Sequence, residues 1–298
     1  MTFTNERLAT RDMLLGEGLQ IRRALPNRGR RLIGAWCFLD HAGPMLMHSH
    51  RELRVGPHPH IGLQTFSWMI SGEILHRDSL GYQQVLRPGQ VNLMTAGRGI
   101  AHSEEGVPIS APAEIQLAQL WIALPDAHRH MEPAFQHYPE LLVLEQGGFA
   151  ITLLTGELSN HVSPVKVFSP LLGADLACKT SAQTTLALNP AFEYGALVLE
   201  GEAAVAGESI APGTLLYLGM NRTSLDIQAQ ASSRILLLGG EPLNEPVLLW
   251  WNFVARTEGE MIEATDQWNN HSERFGEVKG YDGERLIAPN VAGLHLRQ

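Results

Sequence analysis

Short apolar runs separated by turn residues dominate the chain up to about residue 245. Typical runs are residues 32–39, 90–94, 117–124 and 150–154. Glycine and proline punctuate them at Gly81, at Pro88-Gly89 and at Gly147-Gly148. Short apolar runs bounded by turn residues are typical of β-strands, so the pattern predicts an all-β sandwich or barrel.

Two parts of the chain repeat the same order of strands and turns. Residues 69–74 are echoed by residues 198–203, and residues 87–91 are echoed by residues 211–215. Each copy has a strand, a Gly-Glu turn, a second strand, a Pro-Gly turn and a third strand. An internal repeat of this kind predicts two structurally similar barrels.

The pattern changes between Thr257 and Phe275, where apolar residues recur at spacings of three and four. Thr257 is a suitable N-cap, and Gly276 follows the last residue of the segment. One face of the predicted helix carries Met261, Ala264, Thr265 and Trp268. We expect this amphipathic helix to pack on a barrel, whereas the segment after Gly276 has no regular pattern.

The length of 298 residues provides for two domains of ordinary size. We predict an N-terminal barrel at residues 1–135 and a C-terminal barrel, with the helix and tail, at residues 136–298. The hydrophobic content of 44% is that of a soluble globular protein with a sizeable core. The sequence has neither an apolar run of about 18 residues nor a signal-peptide pattern, so we expect a cytoplasmic protein without membrane contact.

The formal net charge of −9 argues against a nucleic-acid-binding surface, because phosphate attraction requires clustered lysine and arginine. One basic cluster contains Arg22, Arg23, Arg28, Arg30 and Arg31. Its first interpretation is a solvated loop or an anchor for local carboxylates, and the alternative is a surface for an acidic partner. The two cysteines, Cys37 and Cys178, form neither a disulfide framework nor a metal motif, and a reducing compartment suits them.

The strongest chemical signal consists of two short motifs about forty residues apart. His58 and His60 have the i, i+2 spacing that places two side chains on the same face of a strand. His102 and Glu104 have the same spacing after the turn at Gly97-Arg98-Gly99. If the two segments are adjacent antiparallel strands, three imidazoles and one carboxylate meet. Iron(II), manganese, nickel, cobalt, copper and zinc all accept such a ligand set.

Two other His-x-His pairs are weaker candidates for metal binding. His48 and His50 lie beside charged residues ahead of any predicted strand, and His128 and His130 lie in a predicted loop. Surface roles are the preferred interpretation of both pairs. The pair at His58 and His60 differs because an apolar strand follows it and because His102 and Glu104 supply a second half.

Several segments of the chain resemble the pirin branch of the cupin superfamily, and they follow one another in the order expected of that family. The most similar segment is Met94-Thr95-Ala96-Gly97-Arg98-Gly99-Ile100-Ala101-His102-Ser103-Glu104. The other segments are residues 38–41, 58–65, 76–81, 87–89, 119–122 and 240–246. The resemblance covers most of the chain.

The resemblance implies a bicupin, with two β-barrels, a metal in the N-terminal barrel and a C-terminal helix packed on them. It implies one divalent metal, with iron(II) the first choice, held by His58, His60, His102 and Glu104. Many cupins carry a glutamate soon after the His-x-His pair, where this chain has Thr65, so Glu104 takes over as the carboxylate ligand. Residues 188–193 of the second repeat contain no histidine, so the second barrel is expected to be metal-free.

The resemblance also implies an activity, quercetin 2,3-dioxygenase-type cleavage of a flavonol by dioxygen with loss of carbon monoxide. Glu104 would be the catalytic base that accepts the 3-hydroxyl proton. The alternative is a non-enzymatic, redox-sensitive regulatory protein with a protein partner; a monomer is expected in either case. Candidate lining residues are Phe66, Trp68, Met69 and Met94, although ordinary barrel core is the preferred role for at least half of them. His76 is either a structural histidine or a residue that orients a ligand.

Overall fold

The computed structural model describes residues 5–15 and 19–291, which form β-strands and a single α-helix. The first strands are β1 (Glu6–Ala9), β2 (Arg11–Leu15), β3 (Leu19–Leu25), β4 (Trp36–Met47), β5 (Arg54–His60), β6 (Leu63–Ser71), β7 (Ile74–Asp78), β8 (Gln83–Leu86), β9 (Val91–Thr95), β10 (Ile100–Gly106), β11 (Ala113–Ala123) and β12 (Ala134–Tyr138). A 3-10 helix at His50–Glu52 precedes β5. The all-β prediction is confirmed.

The later strands are β13 (Leu142–Gln146), β14 (Phe149–Thr155), β15 (Glu157–Leu158), β16 (His161–Val162), β17 (Leu171–Cys178), β18 (Ala182–Ala187), β19 (Glu193–Glu200), β20 (Ala203–Val205), β21 (Glu208–Ile210), β22 (Thr214–Gly219), β23 (Ser224–Ala229), β24 (Ser233–Gly240), β25 (Leu248–Trp250) and β26 (Phe253–Ala255). Helix α1 (Glu258–Asn269) and a 3-10 helix at Glu273–Phe275 follow. No helix among the described residues is long and apolar enough to cross a membrane.

One compact unit contains both halves of the histidine motif. It consists of Ala42–Pro139 with the described residues of Leu14–Ile21 and of Asn244–Gln298. Its strands contribute to a sheet in the order β12-β9-β6-β11-β4-β3-β2 and form a second sheet in the order β5-β10-β7-β8. The histidine motif lies on β5 and β10, which are neighbours in the second sheet.

The other compact unit has its own apolar core. It consists of Arg22–His41 and Glu140–Leu243 with the described residues up to Met13. Its sheets have the orders β1-β22-β19-β24-β17-β14-β13 and β18-β23-β20-β21. Burial alternates strictly along β18 and β23, and the inward residues, such as Leu186, Leu225 and Ile227, join the core. This alternation is expected of antiparallel sheets with one face turned to the core.

The two units differ from the predicted division between residues 135 and 136, because Arg22–His41 and the described residues up to Met13 group with Glu140–Leu243. One boundary between the units lies at Pro139 and Glu140, close to the predicted one, but the described residues of Asn244–Gln298 group with the histidine unit. A bridge between Ile61 and Phe253 ties this last segment to the end of β5. At the other end of the chain, β1 pairs antiparallel with β22. Backbone pairing between residues far apart in sequence therefore determines to which unit each terminal segment belongs.

Helix α1 confirms the predicted N-cap and the predicted buried face. The Thr257 hydroxyl accepts a hydrogen bond from the Glu260 N–H at 3.2 Å, and the buried residues are Met261, Ala264, Thr265 and Trp268. The predicted end near Phe275 is wrong, because the helix stops at Asn269. His271 has a positive φ of 57°, which turns the chain before the separate 3-10 helix begins.

Residues 277–291, for which the sequence predicts no regular pattern, pack against α1. The Trp268 indole N–H donates to the Leu286 carbonyl at 2.8 Å. Ala288 and Val291 are buried in the same apolar cluster as Met261 and Trp268. Residues 277–291 therefore belong to the histidine unit and have no regular secondary structure.

The basic cluster binds carboxylates of its own unit, in agreement with its first interpretation. Arg23 makes two hydrogen bonds to Asp40, at 2.8 and 2.7 Å. Arg30 lies 3.5 Å from a Glu6 carboxylate oxygen and stacks over the Tyr217 ring at 3.7 Å. Arg22 lies 3.8 Å from an Asp12 carboxylate oxygen, so at least three of the five arginines are engaged in local structure.

Candidate metal centre

Two neighbouring strands, β5 and β10, direct the motif side chains to the same face of the sheet. On β10, His102 lies opposite His58 of β5 and opposite Asp78 of β7. Directly opposed residues of antiparallel strands project to one face, as do residues two apart on a strand. His58, His60 and His102 therefore share a face, as the spacing predicts.

One glycine after the end of β5 and one before β10 lie in close contact with neighbouring backbone. Gly62 has a φ of 68°, and a Cβ there would lie 2.2 Å from the Val254 carbonyl oxygen. Gly97, in the turn before β10, has a φ of 52°, and a Cβ there would lie 2.0 Å from the Met131 carbonyl oxygen. Both positions exclude a side chain by conformation and by contact.

The three imidazoles form a compact buried group. Among the described residues, His58, His60 and His102 each offer one ligand atom, and these atoms all lie within 4.8 Å of one another. The Nε2 atoms of His60 and His102 are 3.0 Å apart. The rings of His58 and His102 have centroids 4.4 Å apart. This arrangement is the one that a single cation shared by three imidazoles requires.

Backbone carbonyls fix which nitrogen of two rings faces this group. His58 Nδ1 is 2.9 Å from the Gly56 carbonyl oxygen, and His60 Nδ1 is 2.8 Å from that of Asn252. A carbonyl only accepts, so each Nδ1 carries the proton and donates it. In the neutral ring, the Nε2 of each histidine therefore keeps its lone pair for a metal.

Burial keeps these rings neutral. It lowers the pKa of His58 to about 4, and it lowers the pKa values of His60 and His102 well below their ordinary value. The neighbouring imidazoles contribute to all three of these shifts because a charge on one ring disfavours a charge on the next. Neutral imidazole is the form that ligates metal, so the site is ready for a cation at neutral pH.

Glu104 lies on the same strand face as His102, opposite His76 of β7. The register between β10 and β5 shifts between His102 and Glu104. Within the described residues, the group of mutually close ligand atoms contains the three histidines without Glu104. Burial raises the pKa of the Glu104 carboxyl to about 7, although the residue keeps part of its surface exposed.

The other sequence candidates lie outside this group. His48, His50, His128 and His130 are absent from the metal-ligating group found among the described residues. Phe66, Trp68, Met69 and Met94 are all buried. Met69 belongs to an apolar core cluster with Leu117 and Ile74, which supports the barrel-core interpretation for that residue.

Four groups near the site were not assigned a role from the sequence. Trp121 meets the His60 ring edge to face at 5.2 Å, and Phe135 stacks on His76 at 4.5 Å. Asp78 lies 3.1 Å from His76 Nε2, and Asn252 supplies the carbonyl to His60. The i, i+2 spacing of His76 and Asp78 could have identified that pair. The contacts of Phe135, Trp121 and Asn252 depend on tertiary packing and leave no local signal.

Family profiles cover most of the chain. The profile of the Pirin family matches residues 18–122, and that of the Pirin C-terminal cupin domain matches residues 173–276. The chain belongs to the pirin family. The two barrels are therefore cupin barrels, and the bicupin expected from the resemblance is confirmed.

Similar pirins come from several bacteria. A Pseudomonas aeruginosa protein named "Putative quercetin 2,3-dioxygenase" is 51% identical over 96% of this chain and 90% of its own. The crystal structure of a quercetin 2,3-dioxygenase from Acinetobacter baumannii has a TM-score of 0.94 and 48% identity, covering 99% of this chain and 98% of that one. A pirin from Escherichia coli, solved with nickel(II), shares the fold with a TM-score of 0.64 at 18% identity, over 80% of this chain and all 100% of its own.

The donor set of this pirin fits a divalent transition metal. His60 Nε2, which carries a lone pair, faces His102 Nε2 at 3.0 Å in a buried space. Imidazole nitrogens are ligands of intermediate softness, which suit iron, copper, nickel and zinc. The residues present therefore match the metal that the family implies, without selecting one element.

Proposed function

We propose that this pirin is a metal-dependent oxidoreductase of the quercetin 2,3-dioxygenase type, acting on a flavonol-like small molecule and dioxygen. The observation that carries the proposal is the group of three buried imidazoles, whose ligand atoms all lie within 4.8 Å of one another. The substrate class is drawn from the names of the relatives from Pseudomonas and Acinetobacter, which are 51% and 48% identical to this chain.

In this proposal His58, His60 and His102 hold one metal ion, and Glu104 is the fourth protein ligand. We propose iron(II) as the native metal, with manganese, nickel, cobalt, copper and zinc as the alternatives that the ligand set admits. When bound, the metal supplies a Lewis acid that polarises a coordinated oxygen and favours its deprotonation.

The chain itself contributes positioning and proton transfer. Glu104 extends from the same strand face as His102, which suits it to accept the proton of a flavonol 3-hydroxyl. Trp121 is buried and packs edge to face against the His60 ring, so it covers one side of that ring. All three histidines are buried, and the low dielectric of a buried site strengthens electrostatic contacts with the reacting oxygen atoms.

Elemental analysis tests the metal site. We expect about one transition-metal ion per wild-type chain, and we expect His58→Ala to lose it because one of three converging nitrogens is removed. His130→Ala is the matched control, since it removes an exposed His-x-His residue outside the group. If His58→Ala still holds a full equivalent of metal, the assignment of the site is wrong.

Oxygen consumption with quercetin, followed together with release of carbon monoxide, tests the reaction. We expect turnover by the metal-loaded wild type and a loss of about 100-fold or more in Glu104→Gln, which cannot accept the proton. Glu105→Gln, which changes the next carboxylate, should turn over like the wild type. A metal-loaded wild-type protein that consumes no oxygen with any flavonol contradicts the dioxygenase proposal and leaves the metal site intact.

A further inference from the structure

A second pair of side chains lies directly behind His102, on the adjacent strand β7. His76 Nδ1 is 3.4 Å from His102 Nδ1, and His76 Nε2 is 3.1 Å from Asp78 Oδ2. All three residues are buried. Asp78, His76 and His102 therefore form a continuous chain of close polar contacts that ends at the imidazole group.

We propose that Asp78 and His76 are positioning residues that hold the His102 imidazole in the tautomer whose Nε2 binds the metal. The inference rests on the proposed metal site, because it concerns the ring that would ligate the ion. Backbone carbonyls fix the tautomers of His58 and His60, and His76 would do the same for His102. Among the hydrogen bonds described for His102, no carbonyl contacts its Nδ1.

The carboxylate of Asp78, at one end of this chain of contacts, determines the direction of each hydrogen bond. A carboxylate only accepts, so the contact with Asp78 requires a proton on His76 Nε2. In a neutral His76 ring, Nδ1 then has a lone pair, and it accepts from His102 Nδ1–H. His102 Nε2 is consequently free of a proton and presents its lone pair to the metal. Carboxylate–histidine–metal arrangements of this kind set ring orientation and ligand basicity in metal sites.

Packing fixes the plane of the intermediate ring. Phe135 stacks on His76 with ring centroids 4.5 Å apart and planes inclined by 15°. The stacked ring restrains rotation of His76 about its Cβ–Cγ bond, so both nitrogens stay aligned with their partners. Packing inside the barrel therefore maintains the His76 orientation that both contacts require.

Asp78 also has a purely structural role, and the two roles use different oxygens. Oδ1 accepts hydrogen bonds from the N–H groups of Leu80 and Tyr82, both at 3.0 Å, in the turn after β7. Oδ2 faces His76. A substitution that keeps the first oxygen and replaces the second can separate the roles.

Asp78→Asn is that substitution. The two backbone N–H groups hold the amide oxygen at the Oδ1 position, so the amide NH₂ replaces Oδ2 and donates to His76 Nε2. His76 must then carry its proton on Nδ1 and donate to His102, which forces the His102 proton onto Nε2. We expect metal affinity to fall about 10- to 100-fold, the range found when such supporting partners are lost.

The affinity is measured by titrating zinc(II) into metal-free protein against a chromophoric chelator. His137→Gln is the matched control, because His137 is a histidine of the same unit that bonds to Asn92, outside the chain of contacts. It should bind zinc(II) like the wild type. Asp78→Asn with wild-type zinc affinity overturns the proposal. If that variant also unfolds at a lower temperature, the role of Asp78 is purely structural.

A second measurement needs no variant at position 78. In the zinc-loaded wild type, long-range proton–nitrogen NMR correlations report the tautomer of each imidazole. We expect His102 protonated at Nδ1 and His76 protonated at Nε2. The opposite tautomer of His76 refutes the role of Asp78 while leaving the metal site standing. A wild-type chain that binds no zinc(II) refutes the metal site as well, so the two failures are distinguishable.

Discussion

His41 shows how a single buried residue makes folding of this protein depend on pH. Its side chain is 2% exposed, and burial, together with the charges of Arg22 and Arg234, lowers its pKa to about 4. In the unfolded chain the same ring has its ordinary pKa near 6.5. Between these two values the unfolded state binds a proton that the folded state excludes.

The sign of the pH effect follows from this difference. Stability rises with pH wherever the unfolded state binds more protons, so His41 destabilises the fold progressively as pH falls from about 6.5 to about 4. We expect His41→Gln to reduce the loss of unfolding free energy over this interval by up to about 3 kcal/mol. Urea denaturation at pH 7 and pH 4 measures the difference. An acid sensitivity equal to that of wild type would contradict the effect, with His130→Gln as the exposed control.

At the residue scale, the sequence predicts which histidines cluster better than it predicts the groups that support them. The i, i+2 spacing of His58 and His60 was sufficient to place both on one face, and the three buried histidines do converge. The sequence does not indicate that the Asn252 carbonyl accepts a hydrogen bond from His60, because every residue has a carbonyl. The ring of Phe135 reaches His76 only through the fold.

At the scale of elements, apolar periodicity predicted the inner face of α1, and local capping decided its ends. Met261, Ala264, Thr265 and Trp268 follow from the spacing because the helix packs by one face. The C-terminal end was predicted too late, since His271, with φ of 57°, carries no strong terminating signal in the sequence. The order of the sheets was likewise not predictable, because strand neighbours such as β1 and β22 are about 200 residues apart.

The N-cap of α1 provides a test at this scale. Thr257→Ala removes the hydroxyl that accepts from the Glu260 N–H, so we expect a loss of about 1 kcal/mol in unfolding free energy. Thr257→Ser keeps the hydroxyl and should remain within a few tenths of a kcal/mol of wild type. Denaturant midpoints at unchanged slope measure both variants. Equal midpoints for the alanine and serine variants would show that the cap contributes nothing.

At the scale of the whole molecule, metal binding should stabilise the histidine unit directly. His58 lies on β5 and His102 on β10, so unfolding that separates these strands destroys the site. A ligand that binds only the folded state adds RT ln(1 + [L]/Kd), or about 2.7 kcal/mol at a hundredfold excess over Kd.

Each unit has its own apolar core, and the second repeat lacks histidine at residues 188–193, so the two cores should respond differently to metal. We expect zinc(II) to raise the thermal midpoint of the histidine unit by about 5–10 °C, because about 1 kcal/mol corresponds to 2–4 °C for a domain of this size. Calorimetry with and without a chelator measures the shift. His58→Ala should abolish it, because the stabilisation requires the complete set of imidazoles. An equal shift in that variant would mean that zinc(II) stabilises the protein from somewhere other than the three histidines.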